Sequence, residues 1–515
     1  SGVARVFIMT SRRRYAVLIV VSLALALISL DNTIVNVALP QMQEELAATT
    51  SELQWVVDAY SVMFAGTLLL AGALGDRFGR RRALMIGLVV FGAASAAGGM
   101  ASSVEVLIAC RAVMGIGGAF IMPATLSILA QAFTNRGERA KAIGIWAAVA
   151  GAAVGLGPIV GGALLERFSW SSVFWVNPPL VVLALIATWF IVPESKDPAR
   201  PRLDLVGAAL STVGLVALVM TVVEVPDQGI TAVTVSLAAT AVVALTCFVL
   251  WERHVAHPLL PMNLFGQSLF RVAIVSVGLV YFALMGVMFF LPQYLQLVQG
   301  FSPLQSGFGV LPGALGLFSA SLVSPALAAR WGARTIVVSG LLLVSVGLVS
   351  ATGLTTSSAY AHVGLSLGLM GLGLGLVLPQ ATNGILSSVP QQRSGLGSAV
   401  NDGMGELGGS FGVAILGSIV AVFYRNAIDA DLAAAGDAIA GVPTSTIDAV
   451  RESLASAALI MRQLPDSDAE MLRSATGSAF VSGMGWAFAL GAAIACAGAI
   501  YAWLSFPRQM VAVAE

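Results

Sequence analysis

Five charged residues interrupt apolar stretches that are long enough to cross a lipid bilayer. They are Asp31, Asp58, Arg111, Asp402 and Glu406. A charge at the centre of a bilayer costs roughly 2.5–3.5 kcal/mol on insertion scales, so these side chains are expected to face a cavity or a partner. Because four are acids and one is a base, a cavity lined by them favours a cation. Loss of water favours a protonated carboxyl and a nearby arginine favours a charged one, so proton exchange near neutral pH is physically reasonable.

The depth of these residues follows from a helical rise of about 1.5 Å per residue. Asp31, Asp58 and Arg111 fall in the outer third of the membrane, and Glu406 falls near the midplane. Asp402 lies one turn from Glu406, on the same helix face and slightly nearer the cytoplasm. Two interpretations stay open for Asp31 and Arg111: a cation-binding or proton-binding site, or a pair that only holds two helices together.

The elements that must position these charges are transmembrane helices. Apolar residues make up 58% of the 515 residues and charged residues 10%, whereas a soluble protein carries about a quarter charged residues. A bilayer core of about 30 Å needs about 20 apolar residues per helix, so the sequence predicts an all-α membrane protein. Its fourteen predicted spans lie near 15–38, 54–74, 83–101, 104–130, 140–164, 171–192, 203–224, 231–251, 271–293, 304–327, 335–353, 360–388, 395–423 and 477–504.

Composition argues against several other classes of protein. The net charge is zero, so nothing indicates a nucleic acid partner. The three cysteines and three histidines are scattered, so neither a metal site nor a membrane-embedded enzyme is predicted. A Walker loop is lacking, so ATP is not the expected energy source. We expect a secondary transporter without a cofactor, with protons as the coupling ion.

The distribution of arginine predicts that both termini are cytoplasmic. The basic residues concentrate in alternate connections, such as 77–82, 136–141 and 253–271, whereas 41–53 carries three glutamates and no lysine or arginine. The long outer loop 425–475 has mixed charge, but long loops cross the membrane regardless of charge. We therefore expect a multi-pass protein of the bacterial inner membrane.

The chain repeats itself weakly, which predicts two halves. Residues 74–81 match 327–334 at an offset of 253, and residues 114–123 match 370–379 at an offset of 256. Such repeats are typical of transporters whose halves rock around a midplane site; the alternative is chance matching among glycine- and leucine-rich helices. The predicted parts are a cytoplasmic N-terminus (1–14), an N-terminal six-helix half (15–192), two inserted helices (203–251) and a C-terminal six-helix half (271–504).

Two segments are candidates for conformational change. In the connection after the second span, charge anchoring accounts for the arginines, but Asp76 could cap the next helix or pair with an arginine across the halves. In the fifth span, small residues permit close helix packing and a proline permits a bend, although ordinary tight packing would use the same residues. The candidates are Gly72, Asp76, Arg77, Gly79 and Arg80, and Gly151, Gly155, Gly157, Pro158, Gly161 and Gly162.

These segments resemble the major facilitator superfamily over essentially the whole chain, specifically its fourteen-helix drug:proton antiporters. Residues 72–82 are similar to the loop motif GxLxDRxGRR, and residues 151–162 to the helix 5 antiporter motif. Residues 107–119 resemble the helix 4 motif, with Met114 where a glutamine is usual. Residues 30–40 resemble the signature of the fourteen-helix branch.

Within that branch, Asp58, Asp402, Glu406 and the outer loop look most like the QacA, LfrA and SmvA type of multidrug exporter. The resemblance implies proton-coupled export of lipophilic, mostly monovalent cations such as quaternary ammonium compounds and dyes. It also implies that Asp31 and the helix 13 acids bind protons or cations, and that Arg111 supports proton exchange. Some relatives carry a further acid in helix 10, which 311–328 lacks, so transport of dications stays open. The alternative is an exporter of an endogenous lipid, siderophore or antibiotic.

Aromatic side chains could stack on such a cation. Interface anchoring and lipid packing are the alternative role for most of them. The expected partners are small lipophilic cations, protons and membrane lipids, and we expect a monomer. The aromatic candidates are Trp55, Tyr60, Trp146, Tyr281 and Phe289.

Overall fold

The computed structural model describes residues 10–46, 48, 50–197, 203–435, 447, 450–451, 453–461 and 466–506, which contain helices and no strand. Fourteen helices are long and apolar enough to cross a membrane, which confirms the predicted all-α membrane fold. The main helices of these spans are α1 (Ser11–Leu46), α2 (Thr50–Phe78), α3 (Arg80–Gly98), α4 (Val104–Ala132), α5 (Arg136–Leu165), α6 (Asn177–Ile191), α7 (Leu205–Gln228), α8 (Ala232–Glu252), α9 (Ser268–Gln293), α10 (Leu311–Trp331), α11 (Ala333–Thr352), α12 (Tyr360–Ser388), α13 (Ser394–Ala435) and α14 (Asp466–Ser505).

Short helical segments connect several spans. A π-helical turn continues α9, and two segments with 3₁₀ geometry precede α9 and α13. Within a bilayer each backbone N–H and C=O must find a partner inside the protein, which explains why regular helix fills the spans. The short segments are Ser172–Trp175, Met262–Gly266, Tyr294–Val298, Pro303–Gly309, Gln391–Arg393 and Leu454–Met461.

The outer loop predicted at 425–475 is too long at both ends. α13 continues to Ala435, α14 begins at Asp466, and the helix Leu454–Met461 lies between them. The apolar criterion ended the predicted span before Arg425, where charged residues begin. Five of the residues from 425 to 435 are alanines, and alanine has the highest helix propensity, so the helix outlasts the apolar run.

Buried apolar residues form two large clusters, one on each side of the α7–α8 pair in the chain. One cluster contains residues between Val17 and Val192 together with Leu386. The other consists mainly of residues between Leu259 and Phe506. The internal repeat and the division into halves stay predictions, but these clusters provide two packed bodies between which a site can lie.

Successive helices run in opposite directions, so the connections α2–α3, α4–α5 and α12–α13 lie at one face of the bundle. We call it the basic face because Arg80, Arg139 and Arg393 lie at these connections. α7 packs on α2 through Val219 and Val62.

Candidate functional site

Asp31 of α1 and Arg111 of α4 form a buried ion pair. Arg111 Nη1 lies 2.6 Å from Asp31 Oδ2, and the Nδ2 of Asn177 donates to Asp31 Oδ1 at 2.7 Å. Arg111 Nε donates to the carbonyl of Val56 at 3.0 Å. Both carboxylate oxygens therefore have a partner, and the pair joins α1, α2, α4 and α6.

Two neutral residues that sequence reasoning missed support this pair. Asn177 also donates to Ser95 Oγ at 3.0 Å, and Ser95 Oγ donates to the carbonyl of Phe174 at 2.8 Å. Asn177 and Ser95 are fully buried. The only signal in the sequence was a single asparagine at the start of an apolar span, just before two prolines.

Tyr60 connects the ion pair to the second group of acids. Its ring lies under the Arg111 guanidinium, 4.7 Å from ring centroid to Cζ, and stacks on Phe64 at 5.7 Å between centroids. Tyr60 also interacts electrostatically with Glu406 of α13. The Arg111 guanidinium therefore already covers one face of the Tyr60 ring, which the sequence offered as a contact for a substrate cation.

The two acids of α13 lie where α13 meets α2, α9 and α12. Asp402 is only 6% exposed; its Oδ1 accepts a hydrogen bond from Asn401 Nδ2 at 3.0 Å. Its Oδ2 is buried and has no hydrogen-bond partner among the described residues. Glu406 is half-buried one turn later, and accepts a hydrogen bond from Ser61 of α2.

A buried acid that the sequence analysis overlooked lies on α7. Glu224 is 9% exposed and is the last residue of the predicted span 203–224. It follows Met220 by one turn, and Asp58 of α2 precedes Val62 by one turn. Since Met220 and Val62 pack in one small cluster, Asp58 and Glu224 lie toward the same end of the α2–α7 contact, away from the basic face.

The remaining aromatic candidates lie in different environments. Tyr281 of α9 contacts Gly405, where an added Cβ would lie 3.2 Å from the ring, so it borders the acids of α13. Trp146 is buried and its Nε1 has no partner among the described residues, and Trp55 is half-buried. Phe289 is 47% exposed and lies about two turns from Tyr281, outside the acid cluster.

Asp76 ties the end of α2 to the start of α13 at the basic face. Its carboxylate accepts hydrogen bonds from Arg80 Nη2 at 2.6 Å and from the backbone N–H groups of Gly395 and Leu396 at 3.0 and 3.2 Å. The first N–H groups of a helix lack helical partners and favour an anion. Neither predicted role is fully correct, because Asp76 caps α13 rather than α3 and its arginine comes from its own segment.

Glycines make this contact possible. A Cβ at Gly72 would lie 2.7 Å from the carbonyl oxygen of Gly395, and a Cβ at Gly395 would lie 2.7 Å from the Asp76 carboxyl. Arg139 of α5 adds a second tie at the same face. It donates to Asn383 Oδ1 at 3.2 Å and to Ser387 Oγ at 2.7 Å, both on α12. These bonds join the two apolar clusters at the basic face.

The glycine run of α5 packs on two different helices. On one side, a Cβ at Gly161 would lie 2.9 Å from Ile34 of α1, and Gly157 contacts Thr33. On the other side, a Cβ at Gly151 would lie 2.5 Å from Leu317 of α10. α5 therefore lies between the two clusters, and its glycines let side chains of the neighbouring helices approach its backbone more closely than a larger residue would allow. Gly155 contacts Ala314, Pro158 contacts Gly307 and Gly162 contacts Leu304.

The site contains carboxyl groups and neutral polar groups but no grouping suited to a metal. Across the described part of the chain, no three His, Cys, Asp or Glu side chains lie close enough together to hold a metal ion. The arrangement can exchange protons or bind an organic cation at the α13 acids. It can also couple those acids to the basic face, because Asp76 holds the first turn of the helix that carries them.

Comparisons with a family model, with relatives in sequence and with solved structures agree with one another. The model of the Major Facilitator Superfamily matches residues 21–413. The chain is 36% identical over 499 residues to the multidrug efflux pump LfrA of Mycolicibacterium smegmatis, covering 97% of each chain. It is 32% identical over 499 residues to the tetracenomycin C resistance and export protein of Streptomyces glaucescens, covering 95% of this chain and 91% of the relative. The fold is similar to that of the proton:xylose symporter XylE, with a TM-score of 0.63 at 12% identity and 97% of each chain covered.

Proposed function

The chain belongs to the Major Facilitator Superfamily of membrane transporters, and on that premise we propose that it exports lipophilic, mostly monovalent cations in exchange for protons. It is a multi-pass membrane protein with fourteen apolar helices. We place it in the bacterial inner membrane with both termini in the cytoplasm. The basic face is then the cytoplasmic face, in keeping with its arginines.

One observation carries the proposal. The Asp402 carboxylate is buried in the bundle with one oxygen that no described residue hydrogen-bonds. A buried charge without a partner is costly, so this group is stabilised by a proton or by another cation. Since both compete for the same oxygen, the group can exchange one for the other. Glu406, one turn away, is the second carboxyl of the same site; we infer that transport requires Glu406 and that Asp402 strengthens binding of the cation.

The charge of the substrate follows from what surrounds these acids. Arg111 is the base within the apolar part of the bundle that the sequence singled out, and Asp31 and the Val56 carbonyl already occupy its guanidinium. An anionic substrate would therefore meet carboxylates without an available cation, whereas a flat or quaternary cation would meet Tyr281 and Glu406.

The energy source follows from the same groups. Entry of one proton and export of one monovalent cation move no net charge, so the pH gradient drives a one-for-one exchange. The membrane potential, worth about 2.3 kcal/mol per charge per 100 mV, contributes when more than one proton enters for each cation. The hydrogen bonds of Asp76 and Arg139 join the two clusters at the basic face. A transport cycle must break them to admit a substrate from that side.

Dye transport by everted membrane vesicles tests the proposal. Vesicles containing the protein should accumulate ethidium when respiration builds a proton gradient, and a protonophore should stop accumulation at once. Vesicles that carry the Glu406→Gln variant serve as the matched control. Accumulation that persists in fully de-energised vesicles would refute proton exchange.

A second candidate function is export of a natural antibiotic, because one relative is named for tetracenomycin C resistance and export. A susceptibility panel separates the two candidates. Expression should raise resistance to quaternary ammonium compounds and dyes, and should leave resistance to neutral and acidic antibiotics unchanged. Resistance to a neutral polyketide alone would favour the second candidate.

A further inference from the structure

A chain of hydrogen bonds between neutral side chains ends on the Asp402 carboxylate. Thr382 of α12 donates its hydroxyl to Asn401 Oδ1 at 2.9 Å, and Asn401 Nδ2 donates to Asp402 Oδ1 at 3.0 Å. Thr382 is 3% exposed and Asn401 is 4% exposed. Water therefore has little access to these bonds, so the neighbouring side chains decide which group donates and which accepts.

The Thr382 hydroxyl determines which end of the Asn401 amide faces Asp402. An asparagine side chain has one oxygen that accepts and one nitrogen that donates. With the oxygen engaged by Thr382, the nitrogen points to the carboxylate. Without that hydroxyl, the amide could rotate and place its oxygen against the carboxylate, where two acceptors repel.

We propose that Asn401, held by Thr382, is the positioning residue of the proton and cation site at Asp402. It occupies Oδ1, so that a proton or an organic cation binds at Oδ2, and its donated hydrogen bond favours the ionised carboxylate. The biological role of this arrangement rests on the proposed function. The effect of the hydrogen bond on Asp402 does not, because it can be measured in protein that is not transporting.

Other titratable and charged groups near Asp402 also influence its protonation. Tyr281 faces Asp402 from α9, and Glu406 follows one turn later on α13. On α12, Asn383 comes directly after Thr382 and accepts a hydrogen bond from the cation Arg139. None of these groups changes in the variants below.

Carbodiimide labelling tests the proposal without transport. Dicyclohexylcarbodiimide reacts with protonated carboxyls in apolar surroundings, so labelling of Asp402, followed by peptide mass spectrometry, should fall as pH rises. In Asn401→Ala the ionised carboxylate loses its donor. In Thr382→Val the amide can turn its oxygen to accept from the protonated carboxyl, so in both variants Asp402 stays protonated to higher pH. The labelling midpoint of Asp402 should rise by about one pH unit, roughly tenfold in proton affinity.

Matched variants separate positioning from general damage. Thr382→Ser keeps the hydroxyl and should keep the wild-type midpoint, whereas Thr382→Val has nearly the same shape without it. Labelling of Glu406 in the same samples should move much less. An unshifted Asp402 midpoint in folded Thr382→Val protein would overturn the proposal, and so would an equal shift in Thr382→Ser. Wild-type protein that fails to transport dye would count against the proposed function alone, since the labelling result would still decide the role of Asn401.

Discussion

Asp31 and Asp402 are both buried carboxylates, but their surroundings differ. Asp31 has an arginine on one oxygen and an amide on the other. Asp402 has an amide on one oxygen and no partner from the described residues on the other. Their exposures are similar, 0% and 6%, so burial alone does not distinguish them.

We therefore expect exchange to occur where a buried carboxylate lacks a partner on one oxygen, rather than wherever a carboxylate is buried. A buried carboxylate that has both a cation and a hydrogen-bond donor is stable as a permanent anion. A buried carboxylate that has only one neutral donor is stable when a proton or another cation joins it. By this argument, we expect Asp31 to hold α1, α2, α4 and α6 together, and Asp402 to exchange its ligand.

The largest effect is expected for Arg111→Gln, because it leaves the Asp31 charge buried without its cation. Breaking a buried ion pair from one side costs about 3–5 kcal/mol. The melting temperature of the purified variant should fall strongly. The double variant Asp31→Asn, Arg111→Gln should recover most of the loss, because no uncompensated charge is left.

Dye export by the same double variant tests how far the two regions are separate. Export should stay low after stability recovers, because Arg111 also holds the Tyr60 ring that interacts with Glu406. If export recovers together with the melting temperature, the ion pair is purely structural and the two regions are independent.

Next in size is Glu406→Gln, which should abolish dye export while the protein stays folded. The neutral amide is easier to bury than a charge, so the melting temperature should be equal to or above that of the wild type. Glu105→Gln, the same change at an exposed acid at the start of α4, should leave export unchanged. Full dye export by Glu406→Gln would show that the Glu406 side chain serves only in packing.

A smaller effect is expected for Gly395→Ala at the basic face. The added Cβ would meet the Asp76 carboxyl and the Gly72 carbonyl, each at 2.7 Å, and overpacking of this kind costs about 1–3 kcal/mol. Export should slow because the contact between α2 and α13 closes less well. Gly417→Ala on the same helix has no atom within 4 Å of the new Cβ, so its export rate should match the wild type. If Gly395→Ala and Gly417→Ala export dye at equal rates, the cap that Asp76 places on α13 does not contribute to the transport cycle.

These regions also differ in how far the sequence could predict them. The fourteen spans were predictable because the bilayer imposes a length of apolar residues that one sequence displays. The five charges stood out for the same reason, since a charge in such a run is rare. The sequence does not determine whether Asp31 pairs with Arg111, because rotation of each helix about its axis decides which side chains meet.

The neutral residues could not be predicted. Asparagine and threonine are common enough in membrane helices that Asn401 and Thr382 carry no signal in the sequence, and Asn177 carries only a weak one. Their importance depends on the side chains to which they hydrogen-bond. Glu224 could have been found, since an acid at the end of an apolar span is visible in the sequence. It was missed because the end of a span is also where a solvated acid is expected.

The smallest effect is expected for Asp402→Asn, and it tests the comparison most directly. An amide oxygen at this position can still accept from Asn401, so only the exchangeable charge is lost, while Glu406 remains to bind the cation. The apparent KM for dye export should rise about two- to tenfold, the equivalent of one hydrogen bond, with little change in kcat. If the variant is instead as inactive as Glu406→Gln, the two carboxyls act as one coupled group. The missing partner on Asp402 Oδ2 would then be a property of the Asp402–Glu406 pair rather than of Asp402 alone.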